Sequence, residues 1–471
     1  MIAASLLACA LADGPPQRTR QPRAEPPPLL TLDAQMAAQP NFLVLMLDDI
    51  GVDQVATWER SDSATPTPEL DALAARGLRF DRAYASATCS PARSALLTGR
   101  SARRTGVGSI VRVLQDRVDL PTEAWTLAEM LVARGYDTAA VGKWHLSARS
   151  TALGGRWLGD PAEQGFRRFR GTMGNLTDGA GLLPGQGYYL FEQVDDAELW
   201  SRSGYATTHQ VDDAVSTLSD LREPWFLYFA PNAAHDPFDL PPTGLASTTA
   251  SPGTRGAYQA IIRALDMEIG RLMDALSPAV AARTHIVLLS DNGSPKSVIV
   301  EPFDHRRGKA TLYDGGTQVP LLWAGPGVVQ GTTDALAHAT DIVPTVLALL
   351  GEDPSTPQVG PDGPVSFDGV DLSPVLRDPA AEVRTYVFTS LHWPNGDPAD
   401  ANIVEDAVRS DDFKLIRRAD GSEAVFAYVE GAVDEGPELD ASAMTSAQVA
   451  GTDALRAALS AHLSETVYEG R

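Results

Sequence analysis

A chain of 471 residues is long enough for one large domain, or for a large domain with a small companion. Its 44% hydrophobic and 21% charged content is that of an ordinary globular protein. A formal net charge of -23 sets the surface against nucleic acid and anionic lipid headgroups and so excludes a nucleic-acid partner as the expectation; a few cations gathered in one cleft would still admit an anionic substrate.

The chain opens MIAASLLACALADGPPQ. Leu6-Leu7-Ala8-Cys9 resembles the lipobox of bacterial lipoproteins, in which the cysteine is lipidated, although no basic stretch precedes it and the apolar run is short. Pro-rich polar sequence over residues 14–28 reads as a flexible tether. The expectation is an exported protein, periplasmic or at the cell surface, whose membrane contact is an N-terminal lipid anchor at Cys9. No later segment has the long uninterrupted apolar run of a membrane helix. The other cysteine is Cys89, and if it were consumed by modification no disulfide would be available.

After the tether, residues 42–47 (FLVLML) form a continuous apolar run, the pattern of a strand buried on both faces, and end in Asp48-Asp49. Residues 68–76 (PELDALAAR) have helical spacing with a glycine stop at Gly77. Residues 125–135 repeat that pattern, and 137–142 read as the next strand. An aromatic-rich strand is expected over 225–230 (WFLYFA), the longest amphipathic helix over 258–276, and a strand over 285–290 (HIVLLS). A strand over 319–324 and a helix over 342–350 continue the alternation. Such alternation predicts an α/β fold with a doubly wound, largely parallel sheet flanked by helices. Residues 351–383 are Pro-, Gly- and Asp-rich and read as loop. Short strands at 386–389, 407–409, 413–416 and 424–428 and a helix at 454–463 then predict a small C-terminal α+β subdomain. The expected organisation is a signal-like segment and tether over 1–40, the α/β domain over 41–355 and the small subdomain over 356–471.

In sheets of this kind ligands bind beyond the carboxyl ends of the strands. The chemistry-bearing residues fall at those ends: Asp48 and Asp49, Lys143 and His145, His235, Asp291 and Asn292. The oxygen ligands of Asp48, Asp49, Asp291 and Asn292 suit Ca²⁺ or Mg²⁺ far better than zinc, which prefers His and Cys. Lys143 and His145 are two apart, so an extended backbone would point both the same way. Cys89-Ser90-Pro91-Ala92-Arg93 opens a short helix, with Pro91 in the first turn, where a missing N–H costs nothing. Cys89 thus stands at the positive end of that helix, and Arg93 follows one turn later on the same face.

The window from Cys89 to Arg100 (CSPARSALLTGR) resembles the signature of the formylglycine-dependent, type I sulfatases of the alkaline phosphatase superfamily. Further blocks of that family are matched by Gly142-Lys143-Trp144-His145-Leu146, by 228–238 (YFAPNAAHDPF), and by Gly308 to Gly316 (GKATLYDGG) before Val319-Pro320. Many relatives carry two glycines before the last lysine, where this chain has Arg307-Gly308. The resemblance runs in order over about residues 40 to 350 and more faintly over 407–416.

What it implies is hydrolysis of a sulfate ester to an alcohol and inorganic sulfate. A formylglycine-generating enzyme would oxidise Cys89 during maturation, and the aldehyde hydrate would be the nucleophile. Calcium would be held by Asp48, Asp49, Asp291, Asn292 and the modified Cys89, and Asp291 would help activate one hydroxyl. Arg93 and Lys143 would hold the hydrate, and Lys309 and His235 would bind sulfate, with His235 the proton donor. His145 would deprotonate the second hydroxyl. Asn175 falls where relatives place another polar substrate contact. Small-molecule and carbohydrate sulfate esters both remain open as substrates. The alternatives are a phosphonate monoester or phosphodiester hydrolase of the same superfamily and a non-catalytic sulfate-ester-binding relative.

Overall fold

The computed structural model describes residues 39–112, 118–148, 160–177, 186–246, 253–360, 363–429 and 434–469. Cys9 and the Pro-rich tether lie outside the described residues. Gln39–Arg471 forms one compact unit. No helix among the described residues is long and apolar enough to cross a membrane.

Why the first strand forms is plain from its pattern. Strand β1, Asn41–Leu47, is buried at every position. Phe42, Val44 and Met46 enter one apolar core, while Leu43, Leu45 and Leu47 enter another on the opposite face. A strand with two dry faces has no need of polar alternation. The remaining strands of its sheet are β2 (Gly77–Tyr84), β3 (Asp137–Lys143), β4 (Arg168–Thr172), β5 (Leu190–Asp195), β6 (Glu198–Ser203), β7 (Trp225–Ala230), β8 (Thr284–Ser290), β9 (Leu321–Ala324) and β10 (Gly331–His338). Their spatial order is β10-β2-β9-β8-β1-β7-β3-β4-β5-β6. The central run β8-β1-β7-β3-β4 is parallel throughout. The expected α/β architecture is therefore present, with antiparallel pairings at β9 and at the β5–β6 edge.

Several elements go beyond the sequence-based expectation. Strands β2, β4, β5, β6 and β10 and the helix Ala206–Asp220 carry too many polar residues for the apolar runs used above. The long helix spans Thr254–Asp274, starting earlier than its apolar stripe suggests. The passage 351–383, expected as loop, holds a two-stranded ribbon of β11 (Gln358–Gly360) with β12 (Gly363–Val365) and a short helix, Ser373–Arg377. The C-terminal strands β13 (Val387–Trp393), β14 (Ile403–Arg409), β15 (Phe413–Arg417) and β16 (Glu423–Ala427) form an antiparallel sheet, and the helix Ser446–Glu465 packs on it.

One close approach at the active edge of the sheet has a measurable consequence. Gly142 has φ of 100°, and a Cβ there would lie 2.1 Å from the carbonyl oxygen of Ala230 on the neighbouring strand. Gly142→Ala therefore has both backbone strain and a backbone clash to relieve, together about 3 kcal/mol or more. The midpoint of urea unfolding should fall accordingly; an unchanged midpoint would show that β3 and β7 separate without cost.

Candidate active site

The parallel run makes the site. Strands β8, β1, β7 and β3 are neighbours pointing the same way, so the residues that follow them emerge along one edge. Asp48 and Asp49 follow β1, Lys143 ends β3, His235 lies just beyond β7, and Asp291 and Asn292 follow β8. Strand β2 is antiparallel to β9, which is antiparallel to β8, so β2 also delivers its successor to that edge. The successor is the helix Cys89–Thr98, buried along its whole length and closed by Gly99 at φ 69°. Lys309 sits in the connection from β8 to β9.

Backbone hydrogen bonds tie these ends together. Asp291 N–H donates to the Leu47 carbonyl at 3.0 Å, and Ala234 N–H donates to the Asp48 carbonyl at 2.9 Å. Lys309 N–H donates to the Ser294 carbonyl at 2.8 Å. Asp49 and His145 both stand at φ 60°, a left-handed conformation that non-glycine residues hold only where the surroundings over-determine it. His145 thus corrects the expectation of an extended backbone. The chain turns at His145, whose electrostatic neighbours nonetheless include Lys143, Arg93, His235 and Lys309.

The side chains converge on the Cys89 sulfur. Its Sγ is 3.7 Å from Asp48 Oδ1 and 3.9 Å from Asp49 Oδ1. Lys143 Nζ donates to Asp48 Oδ2 at 2.6 Å, and Lys309 Nζ meets Asp49 Oδ1 at 2.6 Å. Arg93 donates through Nε and Nη2 to Asp291 Oδ2 at 3.2 and 2.8 Å, and through Nη1 to the Lys143 carbonyl at 2.8 Å. His235 Nε2 is 3.8 Å from Asp49 Oδ2, while Nδ1 is 3.1 Å from an Asp236 carboxylate oxygen. Exposure separates the cations into two groups. The Arg93 and Lys143 side chains are wholly buried, whereas Lys309 and His235 keep 14% and 11% of their side-chain surface accessible. The first pair frames the floor, and the second pair faces the mouth.

Burial works against the Asp48 charge, but Lys143, His235 and Arg93 hold its carboxyl below the ordinary carboxylate range. Asp49 is held low against burial in the same way, chiefly by Lys309 and then His235. Burial also opposes the Lys143 and Lys309 charges, yet Asp48 keeps the first ammonium above its ordinary value and Asp49 keeps the second well above. Burial drives His145 well below its ordinary value, and the neighbouring cations Lys143 and Arg93 push it further, so it is a neutral imidazole.

A hard cation fits the donors present. Oxygen, nitrogen or sulfur atoms of Asp48, Asp49, Cys89 and His235 lie within 4.8 Å of one another. Asn292 donates from Nδ2 to Asp49 Oδ1 at 2.9 Å, and its buried Oδ1 meets no hydrogen-bond donor among the described residues. Asp291 Oδ1 accepts from the Asp49 N–H at 3.1 Å, which keeps this carboxylate beside the cluster. Carboxylates with a spare amide oxygen are the donor chemistry of Ca²⁺ and Mg²⁺.

All the strand-end residues singled out from sequence thus meet at one place. Asn175 lies in the segment beyond β4, next to Gly174, whose carbonyl accepts from Asn232 Nδ2 at 3.3 Å in the loop that carries His235. His392, on β13, is wholly buried against Gly108. Sequence reasoning missed the supports. Tyr258 Oη donates to the Asp49 carbonyl at 2.6 Å, Tyr188 Oη donates to the His235 carbonyl at 3.0 Å, and Asp53 accepts from Ser294 Oγ at 2.6 Å. Each lies on a different element from the residue it holds, which leaves no spacing signal.

Residues 40–352 match the family described as Sulfatase. The chain belongs to the sulfatase family. Arylsulfatase A of Homo sapiens is 32% identical over 397 residues, covering 78% of this chain and 74% of that protein. Among solved structures, Ps i-CgsB is similar with 25% identity and a TM-score of 0.70, covering 86% of this chain and 89% of the other. BT4656, solved with its substrate D-glucosamine-2-N,6-O-disulfate, shares the fold at 19% identity and a TM-score of 0.63, covering 83% and 91%. This sulfatase is a sulfuric ester hydrolase, and its site gathers cationic groups around one helix terminus, as hydrolysis of an anionic ester requires.

Proposed function

We propose that this sulfatase cleaves its ester with Cys89, converted to formylglycine by a formylglycine-generating enzyme, as the nucleophile, and with a divalent cation, Ca²⁺ in preference to Mg²⁺, at the acidic cluster. The observation that carries the reading is the approach of Cys89 Sγ to both Asp48 and Asp49 at the head of its helix, inside the ring of Arg93, Lys143, His235 and Lys309. Asp48, Asp49, Asp291, Asn292 and the modified Cys89 side chain would hold the cation, which would supply Lewis-acid stabilisation of the anionic ester. The aldehyde hydrate would supply two hydroxyls, one to attack sulfur and one whose deprotonation expels sulfate.

The chain's own residues divide the remaining work. Lys309 and His235, at the mouth, bind the sulfuryl oxygens, and His235 gives its proton to the departing alcohol. Lys143 and Arg93, wholly buried, pair with Asp48 and Asp291 and keep them in place beside the nucleophile. His145, neutral and with neither ring nitrogen hydrogen-bonded among the described residues, accepts the proton of the second hydroxyl. Asn175 is proposed as a further substrate contact.

The substrate class is a small-molecule or carbohydrate sulfate ester, the latter in line with the disulfated glucosamine bound by BT4656. Export with lipidation at Cys9 is proposed on the Leu6–Cys9 sequence alone. The deciding experiment compares 4-nitrophenyl sulfate and a panel of sulfated sugars with bis(4-nitrophenyl) phosphate. A higher kcat/KM on a sulfate ester is expected; a clear preference for the phosphodiester would move the enzyme to the other branch of its superfamily.

A further inference from the structure

The loop that carries Lys309 is gripped from two sides. Towards the site, Lys309 N–H donates to the Ser294 carbonyl and Ala310 N–H donates to the Ala87 carbonyl, both at 2.8 Å. These bonds tie the loop to the turn after Asn292 and to the approach to Cys89. Away from the site, Asp314 in the same loop is buried and held by the small C-terminal sheet. Lys414 Nζ, on β15, donates to Asp314 Oδ1 at 2.7 Å, and Tyr428 Oη, just beyond β16, donates to Asp314 Oδ2 at 2.7 Å. The Asp314 N–H donates to Glu435 Oε2 at 2.9 Å. Leu312 packs beside Ala87, Ile416 and Phe426, so apolar contact joins the same three parts.

A buried ion pair is weak evidence of stabilisation, because desolvating both charges offsets most of their attraction. Packing alone would be served by apolar residues. A carboxylate that receives an ammonium on one oxygen and a phenol on the other is instead fixed in direction. The end of the Lys309 loop is therefore pinned by donors from outside the α/β sheet, while Lys309 Nζ lies 2.6 Å from Asp49 Oδ1.

We propose that Lys414 and Tyr428 of the C-terminal sheet are positioning residues for Lys309, clamping its loop through Asp314 so that the lysine meets the sulfate. The inference rests on the assignment of Lys309 to sulfate binding. Neither residue is paired to the acidic cluster itself; both act on it through the loop.

The test is a double-mutant comparison on the full chain with 4-nitrophenyl sulfate. Lys414→Met is expected to lower kcat/KM about 30-fold and Tyr428→Phe about 5-fold, since small misplacements of a binding group are costly. Inhibition by inorganic sulfate should weaken in parallel, and Lys414→Arg should restore part of the loss. In a Lys309→Ala background each substitution should change kcat/KM less than about 2-fold, because residues acting through one group are not additive. Equal losses in both backgrounds, or none in the wild-type background, would overturn the proposal. If Lys414→Met fails to fold, the Tyr428→Phe pair carries the same comparison. A wild-type enzyme that turns over sulfate esters but shows additive losses refutes the clamp alone; one inactive on every sulfate ester refutes the reading beneath it as well.

Discussion

Cys89→Ala is expected to remove sulfate-ester turnover by a factor on the order of 10⁵ or more while the protein still folds. The size follows from the place of the side chain. Cys89 is the group on which Asp48, Asp49 and the helix terminus converge. The structural cost is small by comparison. Alanine suits the first turn of the helix Cys89–Thr98, and the atom lost is one sulfur, worth about 1 kcal/mol. Circular dichroism and thermal unfolding of the variant should therefore resemble the parent. Turnover at the parental rate would remove Cys89 from the mechanism.

Lys143→Met is the second large effect, and it should strike stability and activity together. The substitution preserves a long unbranched side chain but leaves the Asp48 carboxylate with Arg93 at 3.5 Å as its remaining ion-pair partner among the described residues. Removing one member of a wholly buried pair costs about 3–5 kcal/mol, because the other charge stays desolvated. Loss of a donor at the reacting centre should lower kcat about 10³-fold. The pH dependence has a definite sign. Asp48 sits below its ordinary 3.8 in the folded enzyme, so its pairing contributes fully above pH 3.8 and is lost as pH falls through the folded value. Lys143 sits above its ordinary 10.5, so its share is complete below that pH and is lost only as pH rises through the folded value. The stability gap between parent and Lys143→Met should thus be widest on the plateau between these limits and close on the acid side. Urea midpoints from pH 3 to pH 9 would show it; a gap independent of pH would mean that the loss is one of packing.

What could be read before the fold was known divides on physical lines. Strands β1, β7 and β8 are buried at every residue, and such strands announce themselves as apolar runs. Strand β2 interleaves Arg79, Asp81 and Arg82 with its core residues, and β6 is largely exposed, so neither has a run to detect. The helix Ala206–Asp220 buries Thr207, Gln210 and Thr217 beside Val211 and Ala214, which blurs its stripe. The candidate site residues were legible because most sit at or soon after a strand end, in motifs of chemically demanding residues. Their pairings were not. That Lys143 serves Asp48, Lys309 serves Asp49 and Arg93 serves Asp291 depends on strand order, which no local pattern encodes. The left-handed turn at His145 and the hold of Lys414 on Asp314 were hidden for the same reason.

Every step proposed for this enzyme leans on one chemical change at one buried side chain. The direct measurement is the mass of the Cys89 peptide, from protein made in a host with maturation machinery, taken alongside turnover of 4-nitrophenyl sulfate or the best sulfate ester of the panel. Conversion should lower the peptide by about 18 Da, as exchange of the thiol for an aldehyde demands, and activity should scale with the converted fraction. Full activity from protein whose Cys89 is an intact thiol throughout would contradict it.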